Sequence, residues 1–148
     1  MEISIKPVDK NNWKDIAELK VSDSQTEFVA SNLYSFAEAA YEESSVPLGI
    51  FHGNEAVGFI MYESLAYKDK IGEYSIFRFM ISEKHQNKGF GRIALQKTIS
   101  KISTFSDCRR ITICYMPNNS VAKSFYKSVG FSELGIDESG EILAEIRI

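Results

Sequence analysis

The chain has 148 residues, 44% hydrophobic and 25% charged, and 17 basic against 20 acidic side chains give a formal net charge of −3. That length suits one folded domain, residues 1–148, with enough apolar content to bury a core. The slight acidic balance argues against a nucleic-acid partner and is compatible with a small cationic one. No run approaches the roughly 18 apolar residues of a membrane span. The opening Met1-Glu2-Ile3-Ser4-Ile5-Lys6 also lacks the apolar stretch of a signal peptide, so a cytoplasmic location without membrane attachment is expected. Cys108 and Cys114 stand outside Cys-x-x-Cys spacing, and His52 and His85 are distant from them, so neither a metal site nor a disulfide framework is signalled.

Along the chain, Ile3, Ile5 and Val8 alternate with polar residues and predict a first strand. Helical spacing follows at Trp13, Ile16 and Leu19, and a less regular helical stretch covers residues 34–44. Residues 47–51, the turn His52-Gly53-Asn54-Glu55 and residues 56–62 read as a hairpin. A polar loop precedes a strand over residues 73–81. A glycine-spaced loop, Gln86-Asn87-Lys88-Gly89-Phe90-Gly91, then opens a helix whose buried stripe is Gly91, Leu95, Thr98, Ile102 and Phe105. Residues 110–115 form a buried strand, 120–129 a helix, and 131–136 with 142–148 a closing hairpin around Ser139-Gly140. This order of elements indicates an α/β sandwich with one mixed sheet.

The loop at Gln86 has the chemistry of a phosphate cradle. Lacking a Cβ, Gly89 and Gly91 can take positive φ and let backbone N–H groups converge on an anion at the positive end of a helix. Gly89-Phe90-Gly91-Arg92-Ile93-Ala94 also fits the dinucleotide pattern G-x-G-x-x-G/A. That fingerprint, however, needs a strand running directly into the first glycine and an acidic ribose partner about 20 residues later, and both are missing. A Walker loop fails for want of Gly-Lys-Ser/Thr. A plain glycine loop is the remaining alternative. Lys88 and Arg92 would add charge near phosphates, or simply be solvated.

A second segment shifts the balance between these readings. Asn119-Ser120-Val121-Ala122-Lys123-Ser124-Phe125-Tyr126-Lys127-Ser128-Val129-Gly130-Phe131 reads as a capped helix ending at glycine. Together, Gln86-x-x-Gly89-x-Gly91 and Asn119-x-x-Ala122-x-x-x-Tyr126-x-x-x-Gly130-Phe131 resemble the GNAT superfamily of acyl-CoA-dependent N-acetyltransferases. The resemblance implies a mixed central sheet of about seven strands with about four helices, splayed between the fourth and fifth strands. Acetyl-CoA would be the cosubstrate, with no metal. Its pantetheine arm would pair with the backbone of Phe79, Met80 and Ile81, and its phosphates would lie on Gln86, Asn87, Lys88, Gly89, Phe90, Gly91 and Arg92.

By the same resemblance, Tyr126 would protonate the departing thiolate, a phenol of pKa about 10 opposite a thiol of about 8.5; a core aromatic beside Phe125 is the competing reading. The backbone N–H of Met80, at a strand bulge, would stabilise the oxyanion. Asn119 would contact the cofactor or serve as a plain helix cap. Val21-Ser22 with Gln25, Pro47-Leu48-Gly49, Val57-Gly58-Phe59-x-Met61-Tyr62 and Arg78-Phe79-x-Ile81 are similar to bacterial spermine/spermidine acetyltransferases, which implies a small-molecule acceptor, a primary amine of spermine or spermidine, acetylated by direct attack in a ternary complex. Some polyamine acetyltransferases have acids where this chain has Phe77-Arg78. Glu27, Glu63 and Glu73 are candidate substrate carboxylates, none of them assigned as general base. Another small amine, an antibiotic, a protein N-terminus and a non-catalytic acyl-CoA sensor are the rival readings, and a homodimer is left open.

Overall fold

The computed structural model describes residues 2–148; Met1, at the head of the opening segment, lies outside them. Seven strands, β1 (Ile3–Pro7), β2 (Ser45–His52), β3 (Glu55–Ser64), β4 (Glu73–Ile81), β5 (Arg110–Tyr115), β6 (Ser132–Ile136) and β7 (Ile142–Arg147), form one sheet in the order β1-β2-β3-β4-β5-β7-β6. Neighbours are antiparallel except β4 and β5. Four helices, α1 (Trp13–Ala17), α2 (Asn32–Tyr41), α3 (Phe90–Ser103) and α4 (Ser120–Val129), cover the two faces.

Period-two alternation in the central strands divides the core. Phe59 and Met61 of β3, with Met80 of β4, pack on Ile16, Leu19 and Phe36 of the α1–α2 side. Ile60 and Tyr62 turn the other way, onto Leu95 and Ile102 of α3 and beside Phe125 and Tyr126 of α4. Burying a side chain such as Ile16 or Leu95, both fully buried, contributes roughly 1.5–3 kcal/mol.

Element ends follow local chemistry. The Ser31 side chain accepts from the Tyr34 N–H and starts α2 at Asn32, two residues before the apolar spacing begins. Helix α1 stops at Ala17, short of Leu19, because the chain runs on to place the Lys20 carbonyl on the Glu83 N–H at 2.8 Å. Phe105 lies beyond α3 and stacks on Tyr74, with centroids 5.4 Å apart.

The parallel pairing of β4 with β5 spans only Glu73↔Arg110, Tyr74↔Ile111 and Ser75↔Thr112. The β3–β4 register then slips from Tyr62↔Ile76 to Met61↔Arg78, leaving Phe77 as an extra residue in β4. Such a bulge bends its strand. Beyond it, β4 has no strand partner on its β5 side, and the sheet opens.

Candidate active site

The opening between β4 and β5 is a cleft of about 890 Å³. Its floor is β4 from Ser75 to Ile81, and one wall is the start of α3 with the inner face of α4. Residues 21–30 between α1 and α2 form a roof, and Asp137 and Glu141 of the β6–β7 hairpin close the far side.

At the α3 end the backbone is shaped as a cradle. Asn87 has φ 62° and Gly89 φ 83°, and Gly89 is the N-cap of α3 with no side chain to satisfy the first helical N–H groups. Gly89, Phe90, Gly91 and Arg92 line the cleft, so those free donors and the positive helix end face it. The positive φ expected at Gly91 falls on Asn87 instead, and Gly91 sits inside the first helical turn. A Cβ at Gly91 would lie 3.4 Å from both Ile81 and Phe79, on the cleft floor. Arg92 is held by Ser128, Nη2 to Oγ at 2.6 Å, and lies over the Phe125 ring. Lys88 is exposed and does not line the cleft. Gln86 turns inward, its Nε2 donating to the Ile81 carbonyl at 2.9 Å.

The phase of the β3–β4 ladder decides which β4 amides face the opening. Ser82 N–H donates to the Val57 carbonyl, directly opposite it, so Phe59↔Met80 two residues on is also a hydrogen-bonded pair. The Met80 carbonyl accordingly turns to β3, where it would lie 2.5 Å from a Cβ placed on Gly58. The N–H of Met80 points the same way. This corrects the expectation for Met80 as oxyanion donor: the bulge lies at Phe77, and the β4 N–H groups directed into the opening are those of Phe79 and Ile81. The cradle and this free strand edge fit a long pantetheine arm ending in a pyrophosphate.

Tyr126 lines the cleft from α4, stacked on Tyr115 and edge-on to Phe125 and Phe131. Burial pushes its phenol well above the usual value, which keeps it protonated through neutral pH. Its hydroxyl makes no hydrogen bond among the described residues. Asn119 also lines the cleft and caps α4, its Oδ1 accepting from the Ala122 N–H at 3.1 Å.

Of the three carboxylates singled out in the sequence, only Glu27 reaches the cleft, from the roof. Glu63 ends β3 outside it and accepts from the hydroxyls of Tyr67 and Ser44. Glu73 is buried against Arg110, which it meets at 2.7 Å and which also binds Glu145 at 2.8 Å. A carboxylate so paired anchors β4 to β5 and is not free for a substrate amine. Asp137 and Glu141, absent from the sequence reading, line the cleft, because the hairpin folds back beside Cys114 and Tyr115. Asp137 is held below the ordinary carboxylate range, chiefly by the Ser139 hydroxyl. Arg78 also lines the cleft, paired with Glu38 of α2 at 3.2 Å.

A sheet split beside an anion cradle, with a phenol facing the gap, suits a long phosphorylated cosubstrate laid along β4. The chain belongs to the acetyltransferase (GNAT) family, whose model matches residues 13–131. It is 32% identical over 145 residues to a spermine/spermidine N(1)-acetyltransferase of Bacillus subtilis (strain 168), covering 95% of each chain. Its fold matches an acetyltransferase from Thermus thermophilus (TM-score 0.81, 18% identity, 100% and 98% of the two chains). It also matches an aminoglycoside acetyltransferase solved with coenzyme A and kanamycin (TM-score 0.82, 14% identity, 99% and 95% of the two chains). The protein is thus an N-acetyltransferase that takes its acetyl group from acetyl-CoA.

Proposed function

We propose that the acceptor is a primary amine of spermine or spermidine, acetylated by direct attack in a ternary complex within a single domain spanning residues 1–148. The observation carrying this reading is the likeness to the Bacillus subtilis spermine/spermidine enzyme along nearly the whole chain. The cleft's own chemistry supports it, since Glu27 on the roof and Asp137 and Glu141 on the hairpin face it from two sides. A flexible polycation can meet both at once.

In this reading acetyl-CoA supplies the activated thioester. The cradle from Gln86 to Arg92 holds its phosphates, Phe79 and Ile81 bind its arm through backbone groups, and Asn119 adds a polar contact through its free Nδ2. A β4 N–H in the opening stabilises the oxyanion, and Tyr126 delivers a proton to the leaving sulfur. The attacking amine must be neutral while its distant amines stay charged, so turnover climbs as pH rises above neutrality.

The assignment is tested by kcat/KM for spermine, spermidine, putrescine, an amino acid, an aminoglycoside and a peptide amine in one buffer. Spermine or spermidine should lead. A lead of tenfold or more by any other class removes the polyamine assignment and leaves the acetyltransferase intact.

A further inference from the structure

The roof and the cradle meet through two side chains distant in sequence. Gln25 Nε2 donates to Gln86 Oε1 at 3.2 Å, and Gln86 Nε2 donates back to Gln25 Oε1 at 2.9 Å. Backbone groups fix the orientation of both amides. The second hydrogen of Gln86 Nε2 is taken by the Ile81 carbonyl at 2.9 Å, and Gln25 Oε1 also accepts from the Ser22 N–H at 3.2 Å. Neither amide can flip without losing a backbone partner. The chain of contacts runs from the first residues of the roof to the last residue of β4, whose N–H faces the opening. Gln86 is also the residue from which the loop departs toward Asn87 and Gly89.

We propose that Gln25 is a positioning residue that acts through Gln86, locking the acceptor-facing roof to the acetyl-CoA cradle so that filling the cradle orders the roof. The roof carries Glu27, so the lock sets where the acceptor carboxylate stands relative to the thioester. The reverse coupling follows: an acceptor that orders the roof tightens cofactor binding by the same factor. The proposal rests on acetyl-CoA occupying the Gln86–Gly91 loop and is independent of which amine is the acceptor.

The test compares wild type with Gln25→Met, which keeps the length and removes both hydrogen bonds to Gln86 together with the one from the Ser22 N–H. The roof stays attached through the backbone bond from Glu83 to Lys20. The first readout is amide hydrogen exchange over residues 21–30 with and without coenzyme A. In wild type the ligand should slow roof exchange by about threefold or more, and in Gln25→Met that gain should vanish. The second readout is a KM-against-kcat split. The variant's KM for spermidine should rise by about three- to tenfold, the worth of a net side-chain hydrogen bond, while kcat at saturation stays within about twofold.

A variant that gains the same protection as wild type overturns the proposal. So does a wild type in which coenzyme A protects residues 86–91 and leaves the roof unchanged. Should Gln25→Met melt below the working temperature, Gln25→Asn, one methylene too short to reach Gln86, is read by the same two outcomes. A wrong acceptor amine would show only in the kinetics, as poor spermidine turnover by wild type, and would leave the exchange result standing.

Discussion

Tyr115 and Tyr126 lie ring on ring, centroids 5.7 Å apart and planes within 24°, but only Tyr115 commits its hydroxyl to a protein partner, Glu133, at 2.7 Å. That bond and burial push the Tyr115 phenol up to about 12, with burial the larger cause. The Tyr126 hydroxyl has no partner among the described residues, and Tyr115 supports its ring. Tyr126→Phe should therefore lower kcat by roughly 10²-fold or more with little change in acetyl-CoA affinity, whereas Tyr115→Phe should cost far less. Single-turnover kinetics with both variants decides it. Wild-type kcat in Tyr126→Phe, with chemistry rate-limiting, would pass the proton to water or another group.

Much of this site was legible before the structure because its parts are local. The glycine spacing after Gln86, the Asn119 cap and the Tyr126 position each lie within one loop or one helix and follow a local pattern, although the positive φ expected at Gly91 falls on Asn87. Long-range phase was not legible. Whether the Met80 N–H faces β3 or the opening depends on the β3–β4 register, and the extra residue at Phe77 leaves no mark in the pattern of apolar side chains. Carboxylates show the same limit. Glu27, Glu63 and Glu73 look alike in sequence, but only tertiary pairing turns Glu73 onto Arg110 and brings Asp137 and Glu141 to the cleft.

Gly91 tests the cradle. A Cβ there meets Ile81 and Phe79 at 3.4 Å, so the first atom fits with slight adjustment and a branched side chain would project along the cleft floor. Gly91→Val should weaken acetyl-CoA binding by at least ~1.4 kcal/mol, a factor of ten, while NAD binds neither protein. Isothermal calorimetry measures both. Unchanged affinity in a folded Gly91→Val protein would sink the cradle assignment.

Tyr74 gives a stability prediction with a defined sign. It is buried at the start of β4, and its hydroxyl donates to Asp107 at 2.7 Å. Burial first, then that bond, push its phenol from 10.0 up to about 12. Below pH 10 the group is protonated in both folded and unfolded chains, and its contribution is complete. Between 10 and about 12 the unfolded chain gives up a proton that the folded one keeps, so stability falls as pH rises. Tyr74→Phe should be less stable near neutrality by about 1 kcal/mol and should lose less stability across that alkaline window. Urea unfolding at pH 8 and pH 10.5 gives both terms, and parallel declines in the two proteins would remove Tyr74 as a contributor.

Charge at the cleft mouth supplies the last test. Glu27, Asp137 and Glu141 line the cleft, while Arg78 is already paired with Glu38 and Arg92 is held by Ser128 at the cradle end. Under the proposed function these carboxylates attract a cationic acceptor, and salt screens that attraction over a Debye length of about 10 Å at 0.1 M. For spermine, kcat/KM should fall steadily as ionic strength rises, and more steeply than for putrescine, which carries fewer charges. Glu27→Gln should raise the KM for spermine by about three- to tenfold, flatten its salt dependence and leave the KM for acetyl-CoA unchanged. The same salt slope for spermine and putrescine, or for Glu27→Gln and wild type, would mean that the acceptor is not steered by these carboxylates.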